Sequence, residues 1–198
     1  PQQIDQALVD WGMAMGPCSV ADMSGLDIGY AMRRSLDTSR FEADAFRVHD
    51  RLVESNQKGR KTAAGFYLYE GREQCENPLA LEIIKTVGDE LGITRRAIAN
   101  SEIVERSIYA LVVEGARILD EGVAQRASDI DVVYVNGYGF PRWRGGPMHY
   151  AETKGLDMIR KRIASFAGSR PRWWSMPPGF DSAAARGGWV DEGEVSNT

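Results

Sequence analysis

The chain is expected to fold as an all-α, mainly helical protein: two copies of one small helical domain in tandem, followed by an extended C-terminal tail. Three observations carry that expectation. Residues 16–27 read GPCSVADMSGLD and residues 146–157 read GPMHYAETKGLD, so Gly, Pro, Ala, Gly, Leu and Asp recur at the same six of twelve places, the mark of an internal duplication. Apolar residues recur at helical spacing through most of the chain, with one short β-prone stretch. At 198 residues and 43% apolar there is enough chain to bury two small cores packed together.

The elements follow in order. Ile4, Ala7, Leu8 and Trp11 stand at i, i+3, i+4, i+7 and Gly12 follows, which predicts a short amphipathic helix over 2–11. Gly16-Pro17 opens the next helix with Pro at its first position, Gly25 ends it, and Asp27 is placed to cap a third helix from Ile28 to about Ser35. Phe46, Leu52 and Val53 mark a helix between Phe41 and Asn56, and Gly65-Phe66-Tyr67-Leu68-Tyr69-Glu70-Gly71 is a β-prone piece between glycines. Asn77-Pro78 starts a linking helix with the stripe Leu79, Ile83, Val87 and Leu91. The clearest helix runs from Ser101 to Glu121, with Val104, Ile108, Leu111, Val112, Gly115 and Leu119 on one side and acidic Glu102 and Glu105 at its start. Ser128-Asp129-Ile130-Asp131 has the form of a capping box and predicts a short helix to Asn136-Gly137.

Aligning the copies divides the chain. The first helical repeat covers 1–70, the linking helix 71–100, the second repeat 101–167 and an irregular tail 168–198. Gly16 and Gly146 are 130 apart (146 − 16), whereas Asp5 and Asp131 are 126 apart (131 − 5), so the later copy carries a four-residue insertion, placed around Pro141 to Gly145. The helix 101–121 precedes the capping-box helix in the second copy and has no counterpart in the first, so the first repeat reads as truncated at its N-terminus. A chain opening on Pro rather than Met is expected to be processed or cut from something longer. The tail holds three of the eight prolines and three of the five tryptophans without periodicity, and is expected to be extended, packed in part through Trp173, Trp174 and Trp189.

A net charge of −4 and a pI near 5.3 give no general attraction to nucleic acid or anionic lipid. No apolar run reaches the roughly 20 residues of a membrane span, and no targeting signal is seen, so a bacterial cytoplasmic protein is the expectation. Cys18 and Cys75 lack metal-ligand spacing and read as two free thiols. His49 and His149 lie in no motif that supplies a base or a metal, and no phosphate-cradling or nucleophile-elbow motif occurs, so no catalytic residue and no metal site is assigned. Two segments have chemistry in them. Arg142 and Arg144 flank Trp143 before the Gly145-Gly146 turn, a set that would suit a phosphate or carboxylate or brace a neighbouring domain. Lys58-Gly-Arg-Lys-Thr62 is either a solvated basic turn or a phosphate loop.

Several blocks together resemble one family. Met15-Gly-Pro17 through Gly25-Leu-Asp27, Gly59-Arg-Lys-Thr-Ala-Ala-Gly-Phe-Tyr67, Glu102-Ile-Val-Glu-Arg106, Glu114-Gly-Ala-Arg117, Ala127-Ser-Asp-Ile-Asp131 and Gly137-Tyr-Gly-Phe-Pro-Arg-Trp-Arg-Gly-Gly-Pro-Met148 resemble the C-terminal helical domains of 3-hydroxyacyl-CoA dehydrogenases, as in the multifunctional enzymes that add an enoyl-CoA hydratase. The resemblance covers residues 1–167. It implies the duplicated C-terminal fold shared with 6-phosphogluconate dehydrogenase, placed after a Rossmann domain that binds NAD and carries the His/Glu catalytic pair, neither present here. A further substrate-contacting Asn belongs to the helix that the first repeat lacks. On this chain it implies a substrate-cleft loop of Met15, Gly16, Pro17 and Asp22, and a CoA-phosphate or inter-domain contact at Arg142, Trp143, Arg144, Gly145 and Gly146. Partners implied are acyl-CoA and the Rossmann and hydratase domains of a parent enzyme. The alternative is a stand-alone, non-catalytic helical scaffold.

Overall fold

A computed structural model describes residues 1–35, 43–167 and 174–189. They divide into two units, the first made of residues 1–7 and 15–99 and the second of residues 8–14 and 100–198, so helix α1 (Gln2–Trp11) gives its first turns to one and its last to the other.

In unit 1, α2 (Pro17–Ser24) starts at a Pro whose missing N–H costs nothing in a first turn, and α3 (Leu26–Ser35) follows at once. Asp27 therefore lies inside the first turn of α3 rather than capping it, and pairs with Lys61. A 3₁₀ turn, Ala43–Phe46, leads into α4 (Arg47–Glu54); of the helix expected over 41–56, residues 41 and 42 lie outside the described residues. The β-prone piece becomes β1 (Tyr67–Glu70), paired antiparallel with β2 (Glu73–Glu76) in a register that sets Tyr67 opposite Glu76 and Glu70 opposite Glu73. β2 is polar and exposed along its length, which left nothing periodic to read. Asn77 caps α5 (Pro78–Glu90) by accepting the Leu79 N–H at 3.1 Å, and α5 belongs to unit 1. Leu26, Leu52, Val53, Phe66, Tyr67, Tyr69 and Ala80 form the core.

Unit 2 is built on α6 (Asn100–Asp120), whose apolar side meets α7 (Ala127–Gly137), α8 (Pro147–Lys154) and α9 (Leu156–Ala167). Tyr109, Val112, Val113 and Ala116 of α6 pack against Ala151, Leu156, Ile159 and Ile163. Each fully buried aliphatic side chain is worth about 1.5–3 kcal/mol. Beside them Leu8, Ile108 and Phe140 form a second cluster with Trp11 at its edge.

Two expectations change here. The Ser128–Asp131 capping box is not made: Arg126 is the N-cap of α7 and bonds through no side chain, because Asp131 is committed to another helix. The tail is not irregular throughout, since α10 (Pro178–Arg186) puts Phe180 and Ala183 into the core of unit 2 together with Trp174. At nine residues α10 is too short to show a period, although Pro178 at its start and Gly187, at φ 84, after its end are ordinary boundary signals. Trp189 packs beside Phe180, edge to face at 5.6 Å; Trp173 lies outside the described residues.

Candidate functional site

The repeated segment performs the same task in both copies. In unit 1 the Asp5 carboxylate caps α2: Oδ1 accepts the Cys18 N–H at 2.8 Å, and Oδ2 accepts the Ser19 N–H at 2.9 Å, the Ser19 hydroxyl at 2.7 Å and the Tyr67 hydroxyl at 3.0 Å. An acidic group here meets the free N–H groups and the positive end of the helix. Gly16 is required by closeness, because a Cβ there would stand 2.2 Å from the Asp5 side chain. Burial, reinforced by Asp5, pushes the Cys18 thiol up to about 12, so it stays protonated and unreactive.

Further along α2, Asp22 points inward and is 1% exposed. Its carboxylate accepts the Phe66 N–H at 2.9 Å, the Tyr67 N–H at 3.0 Å and the Tyr69 hydroxyl at 2.9 Å, tying α2 to the start of β1. Burial raises its pKa and these hydrogen bonds oppose the rise, while burial and Asp22 together raise that of Tyr69. The basic turn closes over this anchor: Gly59 bears on the Asp22 carbonyl, Lys61 pairs with Asp27 and Arg60 lies 5.2 Å over the Tyr69 ring. His49 sits edge-on to Phe46 and Phe66 with Nδ1 buried and unbonded, and burial, then Arg33, lower its pKa, which keeps it neutral.

In unit 2 Asp131 caps α8 in the same manner, accepting the Met148 N–H at 2.7 Å and the His149 N–H at 3.0 Å, and a Cβ on Gly146 would stand 2.2 Å from its Oδ1. Glu152, the counterpart of Asp22, accepts the Trp189 N–H at 2.6 Å, so Gly188-Trp189 stands where Gly65-Phe66 stands in unit 1. Burial pushes the Asp131 carboxyl up to about 6 from 3.8, although the two backbone donors pull it down. Between those values the folded protein holds a proton that the unfolded chain has lost. The contribution is therefore complete below 3.8 and disappears as pH rises through 6. Asp131→Asn removes it: the stability of the parent relative to the variant is expected to fall by about 1–2 kcal/mol between the two pH values, read from denaturant titrations followed by Trp fluorescence.

The insertion forms a 3₁₀ turn, Arg142–Arg144. The Arg144 guanidinium lies 3.8 Å over the Trp143 ring and 4.1 Å over that of Trp11, and its Nε and Nη2 donate to the Trp11 carbonyl at 3.3 and 3.2 Å. Arg142 donates to Asn136 Oδ1 at 3.2 Å. Trp143 itself is 72% exposed. Among the described residues no group of three or more His, Cys, Asp or Glu could hold a metal ion, and no helix is long and apolar enough to cross a membrane.

Residues 1–69, the span that holds the first Asp-to-helix cap and its Asp22 anchor, match the family described as 3-hydroxyacyl-CoA dehydrogenase, C-terminal domain. The peroxisomal bifunctional enzyme of Danio rerio is 37% identical over 186 residues, which is 86% of this chain and 26% of that protein. Subunit alpha of the fatty acid oxidation complex of Shewanella sp. strain MR-7 is 32% identical over 171 residues, 83% of this chain and 23% of its own length. The crystal structure of the dehydrogenase part of multifunctional enzyme 1 from C. elegans superposes with a TM-score of 0.71 at 28% identity, covering 92% of this chain and 42% of that one. Residues 1–69 belong to the C-terminal helical domains of the 3-hydroxyacyl-CoA dehydrogenases, and the chain as a whole is similar to the matching part of these proteins. At 18% identity, 3-hydroxybutyryl-CoA dehydrogenase from Escherichia coli K12 shares the fold, with a TM-score of 0.70 over 98% of this chain and 55% of that one. The chain spans about a quarter of the length of the curated relatives it matches.

The residues expected at a substrate-cleft loop separate into two kinds. Only Met15 and Gly16 precede a helix, since Pro17 and Asp22 lie within α2 rather than in a loop; Gly16, Pro17 and Asp22 are used in starting and anchoring that helix, and Met15 is exposed. Arg142 and Arg144 are both engaged by acceptors of unit 2, Gly145 and Gly146 by the turn itself. Missed from sequence were the roles of Asp5, Tyr67, Tyr69 and Glu152. The signal for Asp5 was present, since Ile-Asp recurs at 4–5 and 130–131 ahead of each Gly-Pro.

Proposed function

We propose that these residues are the tandem helical, substrate-side part of an NAD-dependent 3-hydroxyacyl-CoA dehydrogenase of fatty-acid β-oxidation, the enzyme that interconverts 3-hydroxyacyl-CoA and 3-ketoacyl-CoA. The observation that carries the reading is the turn Met15–Gly16 with the helix α2 that follows it, held by the two buried carboxylates of Asp5 and Asp22 with Met15 and Val20 exposed, within the span matching the family. NAD, when bound to such an enzyme, accepts the hydride; a dinucleotide site of the Gly-x-Gly-x-x-Gly kind is not among these 198 residues. The base that takes the hydroxyl proton likewise belongs to a Rossmann domain beyond them, and a hydratase domain is the further partner that the multifunctional relatives suggest. This chain orders the acyl side of the cleft. Residues 1–198 alone are therefore expected to show no NADH oxidation with acetoacetyl-CoA, and turnover by this piece would overturn the assignment.

Arg142 and Arg144 serve bracing rather than phosphate in this reading. Arg142→Ala with Arg144→Ala is expected to cost unit 2 about 2 kcal/mol through lost stacking and hydrogen bonds, and to leave CoA binding in calorimetry unchanged. A tenfold loss of CoA affinity would place the phosphates there instead.

A further inference from the structure

The last helix of unit 2 closes a cleft of about 400 Å³ against the end of α6, within the roughly 300–1,000 Å³ that small-molecule sites occupy. Leu119, Asp120 and Ala124 line it from α6 and the turn that follows, and Gly179, Arg186 and Trp189 from α10 and the residues after it. Its walls are preformed. Trp189 is fixed through its backbone N–H, which Glu152 accepts at 2.6 Å, and through its indole N–H, which the Met148 carbonyl accepts at 3.1 Å. Asp120 is fixed by the Gly179 N–H, which its Oδ2 accepts at 2.9 Å; a Cβ on Gly179 would stand 1.9 Å from Oδ1, so only glycine lets the carboxylate come this close to α10. Gly179 and Arg186 are two turns apart with buried Ala183 between them, which puts both on the side of α10 that meets α6.

The charges define the ligand. Asp120 and Arg186 are the charged residues of the cleft, opposite in sign, and among the described residues neither forms an ion pair. Asp120 closes α6, where free carbonyls gather the negative end of the helix, so a cationic group is favoured beside it. Arg186 offers a planar fork suited to a carboxylate. Seven residues of α10 separate Gly179 from Arg186, about 10 Å along the axis, and helix side chains lean toward the N-terminus, which brings the guanidinium back toward Asp120. A lone anion would satisfy Arg186 while meeting the like charge of Asp120, and a lone cation would do the reverse. We propose that this cleft binds a small zwitterion with an apolar side chain, of the α-amino-acid class: its ammonium at Asp120, its carboxylate at Arg186 and its side chain on Trp189, Leu119 and Ala124. The site is built within unit 2 and is independent of any dehydrogenase activity.

The test uses the whole 198-residue chain, labelled at its tryptophan indole nitrogens and titrated with L-phenylalanine while the magnetic resonance signal of the Trp189 indole N–H is followed. A saturable shift with a Kd of about 1 mM is expected. Asp120→Asn, which keeps an acceptor for the Gly179 N–H, and Arg186→Gln should each weaken binding about tenfold; both positions are exposed, so the fold is retained. On the parent chain, hydrocinnamate, which lacks the ammonium, and phenethylamine, which lacks the carboxylate, should each bind at least about tenfold more weakly than phenylalanine. No saturable shift at about 20 mM phenylalanine overturns the proposal. So does hydrocinnamate binding as tightly as phenylalanine, which means an anion site at Arg186 alone, and phenethylamine doing so, which means a cation site at Asp120 alone. Affinity that survives both substitutions also overturns it, because the apolar wall then holds the ring unaided.

Discussion

Asp22→Ala is expected to destabilise unit 1 by about 4 kcal/mol, because three buried donors lose one acceptor and each stranded group costs about 1–3 kcal/mol. The donors are the N–H groups of Phe66 and Tyr67 and the hydroxyl of Tyr69, all meeting a carboxylate that is itself buried. Part of the loss is returned, since burial already works against the charge of Asp22. Asp22→Asn, of the same shape and with one acceptor oxygen, should lose about half as much. Every tryptophan among the described residues belongs to unit 2, so Trp fluorescence is not the reporter for this change. The measurement is amide hydrogen exchange: protection over residues 64–69 should collapse in Asp22→Ala, and retained protection would show that another group holds β1.

Gly146→Ala should be about equally damaging to unit 2, for two separable reasons. The residue has φ 113 and ψ 170, where a side chain is strained, and its Cβ would enter the Asp131 carboxylate at 2.2 Å. Strain and overpacking at about 1–3 kcal/mol each give about 4 kcal/mol. The first repeat provides the control. Gly16 has φ −74, an ordinary value, yet meets Asp5 just as closely, so Gly16→Ala isolates the steric part and should cost about 2 kcal/mol. Denaturant titration by Trp fluorescence reads Gly146→Ala directly; a loss under about 1 kcal/mol would mean that Asp131 can withdraw from α8 without penalty.

The helices were legible because their boundaries are chemical. Pro17, Pro78 and Pro147 start them, Gly25 and Gly155 stop them, and α6 is long enough for its apolar stripe to repeat five times over. What stayed hidden was long-range. Asp131 has the spacing of a local cap and bonds 17 residues away, since two forward donors in a buried site outweigh a solvated capping box. α10 was hidden because Phe180 and Ala183 gain their helix from the core of unit 2 rather than from their own propensity. In the candidate site, the loop could be located but not its wiring: Tyr67 and Tyr69 alternate along a strand, which says that they share a face and nothing of the two carboxylates they reach.

The contact from Glu152 to Trp189 sets where a free-standing version of the second repeat has to end. Cutting after residue 167 would strip Phe180 and Trp189 from unit 2 and leave Glu152 without the N–H it accepts. A soluble version for crystallisation or for grafting onto another protein should run through Trp189. The last thirty residues, dispensable by composition, include the stretch that completes the domain.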